Sequence, residues 1–347
     1  MKIVLVGYNP RNIGGIESFS RNLKENIFPE LYFLYEYDQS GPFEVNDFIG
    51  VCKYNIFNRF LNKISNGLHT KNKMRSYLKS ENFDYILLNT PKYLDIIDDL
   101  NKVILIQHTT VDNWWLSKYK FNKNNKLLSL AKKVNKIISL SEKEKEQIIN
   151  KFNIDEKKIN VISLPSGLEF YNKTKKPGKS LLMLTRFQNE IKRIDLVINA
   201  MKNLPDFNLN IYGSGKDEKE LRLLAEKHSN VKIYKATTEK LKILDENHIY
   251  ILSSDFEGYP VSLIEAASRK LPLIIRNTFP SASEIINKNG ILLKKDWNEN
   301  EFCKAVHDIY HDYDKYSESS EEIYNKHSPL KIKQQWQSLI IGITNEK

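Results

Sequence analysis

Arg186 and Lys192 stand in the stretch T-R-F-Q-N-E-I-K-R-I-D, directly after the apolar run Leu181–Thr185. If that run is a strand of a parallel sheet, both cations lie at its carboxyl end. Open α/β sheets bind ligands there, and two fixed cations could clamp a diphosphate. A solvated basic loop, with Glu190 and Arg193 alongside, is the competing reading. A second set follows the apolar run Ile249–Leu252, where Glu257 and Glu265 bracket E-G-Y-P-V-S-L-I-E. Eight residues separate the two carboxylates, about 12 Å even if all were helical at 1.5 Å per residue. Paired-carboxylate hydrolytic sites need roughly 5–9.5 Å, so that chemistry does not fit. Two carboxylates holding hydroxyls at opposite ends of one extended ligand do fit. Ser262-x-x-Glu265 is also a capping box, which would make Glu265 structural. Nearer the N-terminus, Gly14–Gly15 would let backbone amides approach an anion at a helix N-terminus; an ordinary tight turn serves equally well. Its spacing is not the G-x-G-x-x-G of dinucleotide sites.

Other patterns fail on inspection. Pro177-Gly178-Lys179-Ser180 ends like a phosphate-binding loop, but Lys173 stands where its first glycine belongs. Gly213-Ser214-Gly215 is a bare G-x-G at a strand end, which is usually a turn. His307 and His311, four apart, lack a third ligand and read as a solvated helix face. The stretch Lys53–Lys79 mixes Lys and Arg with Phe57, Phe60, Leu61, Ile64 and Leu68. A basic exposed helix is its plain reading, and an anionic membrane or nucleic-acid contact the functional one.

The elements that must position these residues are visible as alternating apolar runs and amphipathic stretches. Strand-length runs occur at Lys2–Gly7, Tyr85–Leu88, Val103–Gln107, Lys136–Ser141 and Asn160–Leu164. A second series comprises Leu181–Thr185, Leu209–Tyr212, Val231–Tyr234, Ile249–Leu252, Leu271–Ile275 and Gly290–Leu293. Helical patterns lie between them, around Glu17–Ile27, Ile194–Lys202, Lys216–His228 and Ser262–Ser268. Such alternation predicts parallel α/β sheets. The polar, basic segment Phe170–Lys179 reads as a linker between two doubly wound domains. Leu330–Ile343, with Trp336, reads as a last helix that packs back on the body.

Composition agrees with a large globular chain: 347 residues, 41% hydrophobic, 28% charged. That length favours two domains at roughly 100–200 residues each. Cys52 and Cys303 cannot build a disulfide framework, and both fall in helix-like or mixed segments, where idle thiols in a reducing compartment are expected. No run approaches 18 apolar residues, mean hydropathy is −0.49, and no signal-peptide pattern opens the chain, so a cytoplasmic protein is expected. The net charge of +10 points to an anionic partner or to solubility.

Taken in order, Gly14–Gly15, His108, Ser141-Glu142, Pro165-Ser166-Gly167, Arg186, Lys192, Gly213-x-Gly215 and E-G-x-P-x-S-x-x-E at 257–265 resemble the retaining glycosyltransferases of family 4. The resemblance runs from Met1 to about Asp296. It implies the α/β GT-B fold: two doubly wound Rossmann-like domains facing across a cleft, residues 1–168 on the acceptor side and 177–326 binding the nucleotide-sugar, with helix 329–347 packing back on the first. It also implies roles. Arg186 and Lys192 would hold the donor diphosphate, Glu257 the donor sugar and Glu265 the ribose hydroxyls. The amides of Gly258, Tyr259, Pro260 and Val261, at a helix N-terminus, would neutralise phosphate charge, Gly14 and Gly15 would let the N-terminal domain approach the diphosphate, and Gly213 and Ser262 complete the expected nucleotide-binding set. His108 would face the donor sugar near the acceptor. Glu257, His108, Arg186 and Lys192 are thus the expected catalytic set.

By the same resemblance no metal or cofactor is expected, and the partners are a UDP- or GDP-sugar donor and a saccharide or lipid-linked acceptor. A peripheral contact with anionic membrane is added by the basic stretch. The chain departs from the family pattern at Ser166, where Asn is usual, at Ser268-Arg269-Lys270, and at Ser281-Ala282-Ser283-Glu284, where only Glu284 matches. A sugar phosphorylase or nucleotide-sugar epimerase shares the architecture, and a nucleic-acid binder is suggested only by the charge.

Overall fold

Short runs rich in Ile, Leu and Val cannot leave either face in water, and five of them, Ile3–Gly7, Tyr85–Leu88, Val103–Ile106, Ile249–Leu252 and Leu273–Arg276, form strands buried along their whole length. The computed structural model describes residues 1–12, 15–38 and 47–345. Its internal contacts divide the chain into two units, Met1–Ser163 with Lys333–Lys347, and Leu164–Ile332.

The first unit holds β1 (Ile3–Gly7), β2 (Tyr32–Asp38), β3 (Phe48–Lys53), β4 (Tyr85–Leu88), β5 (Val103–Ile106), β6 (Lys136–Ser139) and β7 (Ile159–Val161). They form one parallel sheet in the order β3-β2-β1-β4-β5-β6-β7. Its helices are α1 (Gly15–Asn22), α2 (Ile56–Ile64), α3 (Leu68–Ser80), α4 (Asn125–Lys133) and α5 (Glu142–Phe152). β1 and β4 are neighbours, with Val6 opposite Leu88, although some 80 residues of chain separate them. Strand order therefore reverses between them, and the crevice beyond their carboxyl ends is where such sheets take ligands.

The second unit holds β8 (Ser180–Leu184), β9 (Asn208–Gly213), β10 (Val231–Lys235), β11 (Ile249–Leu252), β12 (Leu273–Arg276) and β13 (Gly290–Leu293), again parallel, in the order β10-β9-β8-β11-β12-β13. Here order reverses between β8 and β11, which pair at Leu181–Ile249 and Leu182–Tyr250. The helices are α6 (Asn189–Lys192), α7 (Ile194–Ala200), α8 (Glu218–Ala225), α9 (Lys240–Glu246), α10 (Val261–Ser268), α11 (Ala282–Ile285), α12 (Glu299–His311), α13 (Tyr313–Glu318) and α14 (Ser320–Lys326). α15 (Pro329–Asn345) ends the chain. From Lys333 onward it belongs to the first unit, where Trp336 is fully buried edge-on to Phe28 and Thr344 meets the Tyr85 hydroxyl at 2.9 Å. Among the described residues no helix is long and apolar enough to cross a membrane.

The structure differs from the sequence reading in three places. β2 and β3 were not anticipated; their runs YFLYEYD and FIGVCK are aromatic-rich and partly exposed, so the periodicity of a buried strand is blurred. Cys52, expected in a helix-like or mixed segment, consequently lies buried in a strand. The stretch Phe170–Lys179 is no free linker, for it lies within the second unit and is fastened to it. The Tyr171 amide donates to Ser268 O, Phe170 stacks on Tyr324, and the buried Lys175 ammonium donates to Leu244 O at 2.6 Å. Burial lowers the Lys175 pKa to about 7. Polar composition marks a loop, but not whether that loop is bound.

Candidate active site

The two strands that flank the reversal in the second sheet deliver the site. β8 ends at Leu184 and hands the chain to Arg186, whose side chain is exposed; β11 ends at Leu252 and leads into Ser253–Glu257. Lys192 closes the short helix α6, and its Nζ donates to Glu257 Oε1 at 2.6 Å, with both side chains mostly buried. The same oxygen accepts from Ser254 Oγ at 2.7 Å.

A strap holds this arrangement. The Asp255 amide donates to Ile191 O, and Ser253 Oγ lies 2.9 Å from the Lys192 and Arg193 carbonyl oxygens. Arg276, nearly buried at the end of β12, donates to Ser253 O (2.8 Å), Asp255 Oδ1 (2.5 Å) and Lys295 O (2.6 Å). Arg193, in a left-handed conformation between α6 and α7, pairs with Asp255 and Asp195. The loop carrying Glu257 is thereby tied to the helix carrying Lys192.

Glu265 sits in α10 and is only 6% exposed, yet both of its oxygens accept from Lys240 Nζ, at 2.8 and 2.9 Å. The capping-box reading fails. α10 begins at Val261 behind Pro260, no side chain caps it, and Glu265 is in its second turn. Gly167 lies 3.6 Å from Glu265 Oε1 when a Cβ is built on it, which places the Ser166-Gly167 turn beside the carboxylate. Of the segment expected to offer amides, Pro260 has no N–H and cannot donate. The Tyr259 hydroxyl is hydrogen-bonded to the buried His327.

Gly213 is where the protein itself needs a bare α-carbon. A Cβ there would run into the Thr185 carbonyl oxygen and the Phe187 ring, and at Gly215 into the Phe187 carbonyl. The G-x-G turn packs against residues 185–187 and is hydrogen-bonded to them, Thr185 N–H to Tyr212 O and Phe187 N–H to Ser214 O. Its glycines thereby set the path of the loop that presents Arg186.

In the first unit, His108 follows β5. Its Nε2 lies 2.7 Å from Asn89 Oδ1, and Asn89 Nδ2 donates to Ser20 Oγ at 2.8 Å, in α1. That orientation of the amide makes Nε2 the protonated nitrogen and leaves Nδ1 an acceptor. Phe19 packs edge-on to the ring, and burial drives the imidazole pKa down to about 3, so His108 is neutral at physiological pH. Asn89 in turn packs on Gly7, where a Cβ would come within 2.8 Å of the Asn89 Cβ.

Glu144 organises the same loop: its Oε2 accepts from Gln107 Nε2 (2.8 Å) and the Val111 amide (2.7 Å), while Trp115 Nε1 donates to Gln107 Oε1. Burial raises the Glu144 pKa to about 7. Ser141 is the N-cap of α5 and accepts from the Glu144 amide. Gly15 opens α1 with free space where a Cβ would stand, and Gly14 lies outside the described residues.

The sequence singles out Arg186, Lys192, Glu257 and Glu265 but not the groups around them: Ser254 and Lys240, which meet Glu257 and Glu265, and Arg276, which braces Ser253 and Asp255. The structure also holds a cavity of about 510 Å³ beyond the carboxyl ends of β1, β2 and β4, which the sequence did not announce. Tyr8, Tyr35, Glu36, Tyr37, Lys92, Tyr93, Lys118 and Tyr119 contribute to its wall. Glu36 accepts there from Lys92 Nζ and from Thr70 Oγ1. The available signal was the recurrence of tyrosine at Tyr8, directly after β1, and at Tyr35 and Tyr37, toward the end of β2. Among the described residues no group of three or more His, Cys, Asp or Glu is placed to hold a metal ion.

Residues 169–326 match the family described as glycosyl transferases group 1. The chain is 26% identical over 246 residues to an uncharacterized glycosyltransferase of Haemophilus influenzae, a match taking in 65% of this chain and 68% of that one. Other curated relatives are longer, and the matches take in 46% and 49% of their length. Among solved structures, the lipopolysaccharide outer core galactosyltransferase WaaB superposes with a TM-score of 0.78 at 16% identity, covering 99% of each chain. HepE of Anabaena, in complex with UDP and glucose, superposes with a TM-score of 0.72 at 13% identity over 99% of this chain and all of its own. The fold is that of the GT-B enzymes, and the class of protein is a glycosyltransferase. Its second unit carries the glycosyl transferases group 1 domain.

Proposed function

We propose that this enzyme is a retaining glycosyltransferase that moves a sugar from a nucleoside-diphosphate sugar, UDP- or GDP-linked, to a saccharide acceptor carried on a lipid, in the making of a cell-surface polysaccharide. The observation that carries the reading is the Lys192–Glu257 pair, held where the chain leaves β8 and β11 at the switch point of the second sheet, with Arg186 in the loop after β8. The HepE complex supports UDP, and the WaaB likeness supports a surface-saccharide acceptor.

The geometry suggests how the donor is taken up. Lys192 pairs with Glu257 and Lys240 with Glu265, so each carboxylate has a cation beside it. A diphosphate arriving beside Arg186 competes for Lys192 and frees Glu257 for hydroxyls of the donor sugar. The ribose meets Glu265 in the same way. As the bond from sugar to phosphate breaks, its electron pair passes to the nucleoside diphosphate. Two cations and the amides at the start of α10 stabilise that charge. The acceptor oxygen forms the new bond on the face the phosphate leaves, and its proton goes to the departing phosphate oxygen. No metal or other cofactor takes part in this proposal, so turnover persists in EDTA. The tyrosine-lined cavity of the first unit offers ring faces and hydroxyls of the kind saccharides bind, and we assign it to the acceptor.

The test is a thermal-shift series with UDP, GDP, ADP and their sugars. Ligand at a hundredfold excess over its dissociation constant stabilises by about 2.7 kcal/mol. One nucleoside diphosphate should raise the melting temperature well above the others, and no shift with any of them would refute the donor assignment. Loss of turnover in EDTA that magnesium or manganese restores would refute the metal-free mechanism.

A further inference from the structure

We infer that α2 is a docking face for an anionic lipid surface, an inference that stands on this helix alone and not on the sugar-transfer reading. A helix on a globular protein ordinarily turns its apolar stripe inward. α2 does the reverse. Ile56, Phe57, Phe60 and Ile64 are 57–86% exposed, Leu68 continues the patch at 55%, and no residue of the helix is buried. The side turned toward the protein carries Asn58, Leu61 and Asn62, followed by Ser65. Asn62 Oδ1 accepts from the Thr70 amide, and Asn58 Nδ2 donates to Lys53 O. The polar side is thus the one held by hydrogen bonds, and the apolar side is left to an outside partner.

The charge says which partner. From Phe48 to Ser80 there are seven basic residues and no acidic one. Lys71 and Lys79 are paired with Asp95 and Asp98. Lys53, Arg59, Lys63 and Lys73 have no acidic partner among the described residues, and Arg59 lies over the Tyr54 ring at 5.2 Å. Apolar side chains bordered by uncompensated cations match the acyl boundary and anionic headgroups of a bilayer. At nine residues, about 13.5 Å, the helix is far too short to span the membrane and would lie in its surface.

The test is co-sedimentation of the full chain with vesicles of phosphatidylcholine alone or of phosphatidylcholine mixed with phosphatidylglycerol. Binding to the mixed vesicles, weakened by salt and absent from the neutral ones, is expected. Phe57→Ser with Phe60→Ser should lower partitioning at least tenfold at an unchanged melting temperature, because both rings are exposed in the folded chain. Each Lys→Gln change at 53, 63 or 73 should lower it roughly fivefold. Equal binding to both vesicle types overturns the proposal. So does partitioning that ignores the double Phe substitution, or absence of vesicle binding with a concentration-dependent dimer that this substitution dissolves. In that last case a second copy is the occupant.

Discussion

At Glu265 a nearly buried carboxylate rests both oxygens on one half-exposed ammonium, Lys240, and this asymmetry separates two substitutions. Lys240→Met strands a charge away from water and should destabilise the chain by about 1–3 kcal/mol. Glu265→Gln leaves only a solvated lysine without its partner and should cost less. Nucleotide affinity should move the other way. If Glu265 holds the ribose as proposed, Glu265→Gln should lose a charged hydrogen bond to it, about 1.5–3 kcal/mol or more than tenfold in dissociation constant, whereas Lys240→Met should bind nucleoside diphosphate as well as the parent. Glu257→Gln should keep affinity for the bare nucleoside diphosphate and lose transfer. Calorimetric titration beside melting curves measures all three. Unchanged affinity in Glu265→Gln would remove the ribose role. Spacing was enough to single out both glutamates, yet the Lys240 partner lies 25 residues upstream in another helix, with no local pattern to announce it.

At the scale of elements, the path of the Arg186 loop depends on β9 ending in a residue without a side chain. Gly213→Ala pushes a methyl into the Thr185 carbonyl and the Phe187 ring, so the loop must shift. Overpacking of this kind costs typically 1–3 kcal/mol. Gly213→Ala should therefore lower both the melting temperature and nucleoside-diphosphate affinity. A variant with parental affinity would show that the loop's position does not matter to the ligand. Arg276→Met should likewise loosen the strap at Asp255 and lower transfer, with Lys192 and Glu257 themselves intact. Of the eleven legible strand runs, β1, β4, β5, β11 and β12 stand out most because strands buried on both faces are continuous in apolar residues. β2 and β3 were not legible, because Tyr and Phe on half-exposed strands carry no clean period.

For the molecule as a whole, buried titratable groups set the acid limb of stability. Burial depresses His108 to about 3 and also lowers His248 and His327. The unfolded chain therefore binds more protons than the folded one below the ordinary value of about 6.5, and stability falls as pH drops through that range. Each such group contributes at most about 1.4 kcal/mol per pH unit. Glu144, raised to about 7, acts with the opposite sign between its ordinary value and 7, and offsets one of the three. Lys175, lowered to about 7, adds stability as pH rises above 7. The melting temperature should fall by several degrees from pH 7 to pH 5, and His108→Gln should flatten the decline. A profile flat or rising toward pH 5 would contradict the burial of these rings.

The sequence by itself determined the parallel α/β character, the runs that become strands and the residue types fit for a diphosphate and its sugar, because these depend on local period and chemistry. Tertiary structure alone decided that β1 lies beside β4 and β8 beside β11, which sets where each sheet takes its ligand. It also decided that Lys192 meets Glu257, that Lys240 meets Glu265, and that α2 turns its apolar side outward. Those outcomes join residues tens of positions apart, and they follow from which surfaces the rest of the chain can cover, a property no window of sequence contains.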